Sequence, residues 1–149
     1  DFETLYRQTM FAEFEEKINQ LAQEGQGITA DVCCELYRQL NGDYFGPDIV
    51  VDDAIALEWA RIPHFYYNYY VYQYATGYAA AIALSRRILK EGKPAVEDYL
   101  KFLRSGSSLP PIELLKLAGV DMSTTDPIQQ ALALFEELIG ELETLLEAE

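Results

Sequence analysis

Apolar residues recur at spacings of three and four along most of this chain, and glycine or proline breaks the pattern before it grows long. That constrains the fold more than any other feature, because a period near 3.6 buries one helix face and cannot serve a strand. Phe11, Phe14, Ile18 and Leu21 form such a stripe within a helix predicted from Phe2 to Glu24, closed by Gly25-Gln26-Gly27. Thr29 is placed to cap a second helix to about Leu40, with Val32, Cys33, Leu36, Tyr37 and Leu40 on one side and Asn41-Gly42-Asp43 as a turn. Asp52 or Asp53 caps a short helix through Trp59-Ala60-Arg61. A long helix is predicted from Pro63 to about Glu91, another from Pro94 to Leu103, and a short one from Pro111 to Leu117 ended by Gly119. Asp126 is placed to cap a last helix from Pro127, with a stripe of Leu132, Phe135, Leu138, Ile139, Leu142 and Leu145. The sole strand candidate, Asp48 to Val51, is too short to matter. The expected class is all-α, a multi-helix bundle.

Composition then removes functions. With 11 Lys+Arg against 25 Asp+Glu and a net charge of -14, the chain lacks the basic clusters that phosphate binding needs, so no nucleic-acid partner is expected. No apolar run approaches the ~18 residues of a membrane span, so no membrane partner is expected either. The acidic pairs Glu15-Glu16 and Glu136-Glu137, and the run Glu141 to Glu149, read as solvated helix faces. Cys33 and Cys34 are adjacent and alone, and read as separate thiols of a cytoplasmic protein. The chain holds 1 His, so it cannot build a two-histidine metal site from its own residues. It opens Asp-Phe-Glu without an initiator Met, as expected of a trimmed or cleaved piece or of a sequence given without its upstream part.

One stretch carries chemistry. Directly after His64, seven of the 11 tyrosines fall between Tyr66 and Tyr78. At about 100° per residue on one continuous helix, His64, Tyr67, Tyr70, Tyr74 and Tyr78 share an arc of about 120°. Phe65, Tyr69, Tyr72, Thr76, Ala79 and Ala83 fall opposite and read as packing. The first set is a row of phenols headed by an imidazole. The residues alone leave three uses open: a tyrosine-rich core helix, a non-catalytic acidic interaction module that binds a peptide or partner helix, or a donor array for a developing oxyanion.

The run Arg61-Ile62-Pro63-His64-Phe65-Tyr66-Tyr67-Asn68-Tyr69-Tyr70-Val71-Tyr72-Gln73-Tyr74-Ala75-Thr76-Gly77 resembles the signature of oligoendopeptidase F, in the thimet-oligopeptidase-like zinc metallopeptidases. Arg7-Gln8-Thr9-Met10-Phe11-Ala12-Glu13-Phe14-Glu15, Asn41-Gly42-Asp43-Tyr44-Phe45-Gly46-Pro47 and Ala118-Gly119-Val120-Asp121-Met122 continue the likeness in order. The resemblance implies that residues 1–149 are one helical region, the C-terminal segment of a zincin-type helical peptidase domain that acts on short peptides. Zinc would be held upstream, by a His-Glu-x-x-His helix and a later Glu, so this segment alone is expected to bind no zinc and cleave nothing. Its expected partners are short peptide substrates and the upstream part of the same polypeptide. It would supply the opposite wall of the site. There the resemblance gives His64, Tyr67 and Tyr74 the transition-state role, with Tyr70 a substrate-binding candidate from geometry. Matching without a gap favours Tyr69 instead, whereas the helical arc supports Tyr67 and Tyr74.

Overall fold

Gln8–Gln23 is the first α-helix, α1, entered through a π-helical turn at Glu3–Arg7, in a computed structural model that describes residues 3–148. Phe11 and Phe14 are buried on its inner face with Met10, and Ile18 packs beside them. Glu15, expected in solvent, is 2 % exposed and thus belongs to the core face. Phe2 lies outside the described residues. Helix α2 spans Ala30–Phe45, and the Thr29 hydroxyl caps it by accepting from Val32 N–H at 3.3 Å. Cys33, Tyr37 and Leu40 are buried along it, while Val32 is exposed. The expected turn at Asn41-Gly42-Asp43 is helical. The buried Asn41 side chain donates to the Tyr37 carbonyl one turn back at 2.8 Å, so it supports the helix rather than opening it. The chain turns only at Gly46, whose φ of 77° suits a residue without Cβ.

Asp52 caps the next element: its Oδ1 accepts from Ile55 N–H at 2.8 Å, opening a 3-10 helix at Ile55–Arg61. A second 3-10 turn covers Pro63–Tyr66, and α3 runs from Tyr72–Glu91. The continuous helix expected from Pro63 is therefore broken. Asn68 and Tyr69 adopt φ of 51° and 58°, which an α-helix of L-residues does not accommodate.

The chain divides into two compact units, Asp1–Ala75 and Thr76–Glu149, with the division inside α3. In the first, Met10, Phe11, Phe14, Cys33, Tyr37, Leu40 and Val71 form the core, with Trp59 and Phe65 packed against it. Phe65 meets the rings of Phe11 and Phe14 at 5.4 and 5.1 Å. The second unit contains α4 (Lys93–Ser105), α5 (Pro111–Leu117) and α6 (Asp126–Glu147). Its core is made of Ala80, Ala83, Leu84, Ala118 and Val120, the three alanines letting backbones approach closely. Arg87 ties the end of α5, donating to the Ala118 carbonyl at 2.5 Å and to Asp98 at 3.0 Å. Asp126 does not cap α6. It lies within the helix and its carboxylate accepts from Gln130 at 2.7 Å. The expected α6 stripe is largely outward: Leu132, Leu138, Ile139, Leu142 and Leu145 are exposed, whereas Pro127 and Ala131 are buried.

The described residues are helical wherever they are regular, with no strand among them, as the all-α expectation required. No described helix is long and apolar enough to cross a membrane.

Candidate active-site wall

His64 sits on the 3-10 turn Pro63–Tyr66, because Pro63 fits a first helical position and Ile62 enters it extended. Phe65 turns inward to the core, which leaves His64 on the other side of the turn. The chain then kinks through Asn68 and Tyr69 before Val71, fully buried, returns it to the core. Two apolar pegs, Phe65 and Val71, thus bracket the kink.

This path gathers four rings that were expected together, though on a helical arc. The His64 imidazole lies parallel to the Tyr70 ring at 5.7 Å and 15°. Tyr67 and Tyr74 meet it edge-on, at 5.8 and 5.7 Å. Tyr70 in turn meets Tyr67 and Tyr74 edge-on, at 6.0 and 5.5 Å. The Tyr74 hydroxyl stands 3.2 Å from His64 Nε2. The cluster is open: Tyr67 is 59 % exposed, Tyr70 39 % and Tyr74 37 %. This chain's own helices therefore do not bury these three tyrosines as a core. Tyr78 belongs to the second unit.

Tyr69 and Tyr72, expected to pack, are exposed instead. Both line an open cavity of about 780 Å³, together with Glu13, Glu16, Lys17 and Tyr44.

Electrostatics favour Tyr74 as a donor. A hydrogen bond with the Tyr70 hydroxyl, followed by desolvation, holds the Tyr74 phenol above its ordinary value. Tyr74 therefore keeps its proton throughout the neutral range and can give it to a hydrogen bond. Close by in sequence, Glu58 is buried and anchors the approach to His64. Its Oε1 accepts from Arg7 at 2.5 Å and also from Arg61, while its Oε2 accepts from the Tyr37 hydroxyl at 2.7 Å. Burial first, and then that bond to Glu58, pushes the Tyr37 phenol up.

Two buried carboxylates escaped the sequence reading. Glu58 carries no local signal. Glu15 does, since it stands at the fourth residue from Phe11 and the third before Ile18, on the stripe itself. Its Oε1 accepts from the backbone N–H of Tyr69 at 2.6 Å, across 54 residues of sequence. A left-handed conformation costs a bulky residue about 1–2 kcal/mol. A hydrogen bond to that residue's N–H contributes about 0.5–1.5 kcal/mol net, which offsets part of it.

Among the described residues no three His, Cys, Asp or Glu side chains converge as a metal site.

Known proteins share this chain's sequence and fold. The model of peptidase family M3 matches residues 2–134. Oligopeptidase PepF of Bacillus subtilis is 59% identical over 143 residues, covering 96% of this chain and 21% of its own length. Group B oligopeptidase PepB of Streptococcus agalactiae is 48% identical over 143 residues, again 96% of this chain and 24% of the relative. The crystal structure of oligoendopeptidase-F from Enterococcus faecium superposes with a TM-score of 0.95 at 44% identity, over 99% of this chain and 28% of that one. The chain spans about a quarter of the length of these relatives.

Proposed function

The chain belongs to peptidase family M3, and from that premise we propose that it is the C-terminal part of a cytoplasmic zinc metallo-oligopeptidase whose intact form hydrolyses short peptides. In this reading the chain supplies the substrate wall and not the metal. One histidine, and no convergent ligand set among the described residues, do not fit a zinc site, so in this reading the ion and the nucleophile it serves belong to the rest of the polypeptide.

The work of this wall is hydrogen bonding. When a nucleophile adds to the scissile carbonyl, negative charge grows on its oxygen, and donors already aimed there stabilise the addition. Tyr74 and Tyr67 present phenol O–H groups on an open face, and His64 lies between them as the hub of the ring cluster. Tyr70, stacked on His64, holds the Tyr74 phenol protonated and forms part of the surface a peptide would lie against. The observation that carries the reading is this exposure combined with mutual contact. Four polar rings touch each other while remaining accessible from solvent.

Tyr74→Phe in the intact enzyme tests it. The substitution removes one donor and keeps the ring, so kcat falls roughly 10²-fold with little change in KM. A kcat near wild type would instead make the tyrosine row a binding surface without a catalytic part.

A further inference from the structure

The kink that brings the row together is held by a residue far from it in sequence. Glu15 is on α1, 2 % exposed, and its carboxylate accepts from Tyr69 N–H at 2.6 Å. That amide lies in the Asn68-Tyr69 pair, the two described non-glycine residues with positive φ. Strained backbone persists only where its surroundings impose it. The surroundings here are three: Phe65 packed on Phe11 and Phe14, Val71 buried in the same core, and the Glu15 carboxylate bonded to Tyr69, which lies between those two in chain order.

The position of the kink gives the contact a consequence for the site. His64 and Tyr67 precede the pair, whereas Tyr70 and Tyr74 follow it. The ring contacts that cross it, His64 with Tyr70 and Tyr74 and Tyr67 with Tyr70, and the 3.2 Å approach of the Tyr74 hydroxyl to His64 Nε2 therefore depend on how residues 68 and 69 turn. Neither apolar peg fixes that turn, because packing is non-directional. A short charge-assisted bond to one N–H is directional. We propose that Glu15 is a positioning residue for this reaction: its buried carboxylate locks the left-handed Asn68-Tyr69 kink and thereby sets His64 and Tyr67 against Tyr70 and Tyr74. The proposal rests on the oxyanion-wall reading for its catalytic effect, but not for the structural hold.

The test uses the intact enzyme with two readouts, peptide hydrolysis and hydrogen–deuterium exchange over residues 65–74. Glu15→Leu keeps the volume in a buried site and removes the acceptor. Exchange in the segment rises and kcat falls at least roughly tenfold, with KM within about twofold, because misplaced donors weaken the transition state more than binding. Glu15→Gln retains an acceptor oxygen and keeps kcat within about threefold of wild type. If Glu15→Leu does not fold, Glu15→Asp is read the same way, since the shorter side chain withdraws the carboxylate from Tyr69 N–H. Wild-type exchange and kcat in the Leu or Asp variant would overturn the proposal. So would equal losses in Leu and Gln that merely follow the melting temperature. Tyr74→Phe run alongside separates the two readings. A silent Tyr74→Phe with a loosened 65–74 segment in Glu15→Leu refutes the oxyanion role and upholds the hold on the kink. A damaging Tyr74→Phe beside a silent Glu15→Leu refutes the positioning role alone.

Discussion

A phenol stabilises an anion only while it keeps its proton, so the Tyr70–Tyr74 contact bears directly on the pH range of the proposed wall. The bond with Tyr70 is the first cause of the upward displacement of Tyr74 from its ordinary value of 10.0. Tyr70→Phe preserves the ring that stacks on His64 and deletes that bond. Tyr74 then ionises at lower pH, and the alkaline limb of the kcat profile moves down toward the ordinary phenol value. Steady-state rates of the intact variant between pH ~8 and ~11 measure this. A limb that stays in place would mean that it reports some group other than Tyr74. Glu15 illustrates a different lesson at the same scale. An acidic residue on the inner stripe of α1 was read by its chemistry, as solvated, when its register already placed it on the inner face.

Among elements, the 3-10 helix Ile55–Arg61 is held through one buried side chain. Glu58 ties Arg7 at the start of the chain and Tyr37 of α2 to the segment that leads into His64. Removing Glu58 leaves the buried Tyr37 hydroxyl and the part-buried Arg7 without their acceptor, whereas the exposed Arg61 turns to water. Glu58→Ala therefore destabilises the chain by about 3 kcal/mol, most of it from the first two. Tyr37→Phe keeps its edge-on ring contact with Phe14 at 5.2 Å and loses only the hydroxyl bond, about 1–3 kcal/mol. Urea unfolding followed by Trp59 fluorescence separates the two, and equal losses would show that the arginines contribute nothing through Glu58. The legible elements were those whose ends have local causes: Thr29 before α2, Asp52 before the 3-10 helix, and Gly119 after α5. Helix α3 began late because the cause of its break is not local. Tyr69 is turned by a carboxylate 54 residues away. The ring cluster was nevertheless anticipated, since 3-10 turn and kink together return Tyr67, Tyr70 and Tyr74 to the His64 side, as a continuous helix would have done by its own period.

Over the whole molecule, the single histidine decides what the chain can do alone. Hydrolysis assisted by a metal ion needs about three protein ligands around it. The described residues bring no three candidate ligands together, and His64 is engaged in the tyrosine cluster. The remaining carboxylates do not substitute. Most stand on exposed helix faces, and the buried Glu58 is saturated by two arginines and a phenol. A chain with net charge -14 attracts divalent cations weakly and diffusely, without the geometry that makes a bound ion reactive. The isolated 149-residue chain is therefore expected to leave a quenched fluorescent peptide uncut even when Zn²⁺ is supplied, while the intact polypeptide cleaves it. Chelator-sensitive turnover by the isolated chain would refute the division of labour argued above. It would place a metal centre where the described side chains bring no ligand set together, and the tyrosine wall would lose its proposed role as one half of a site.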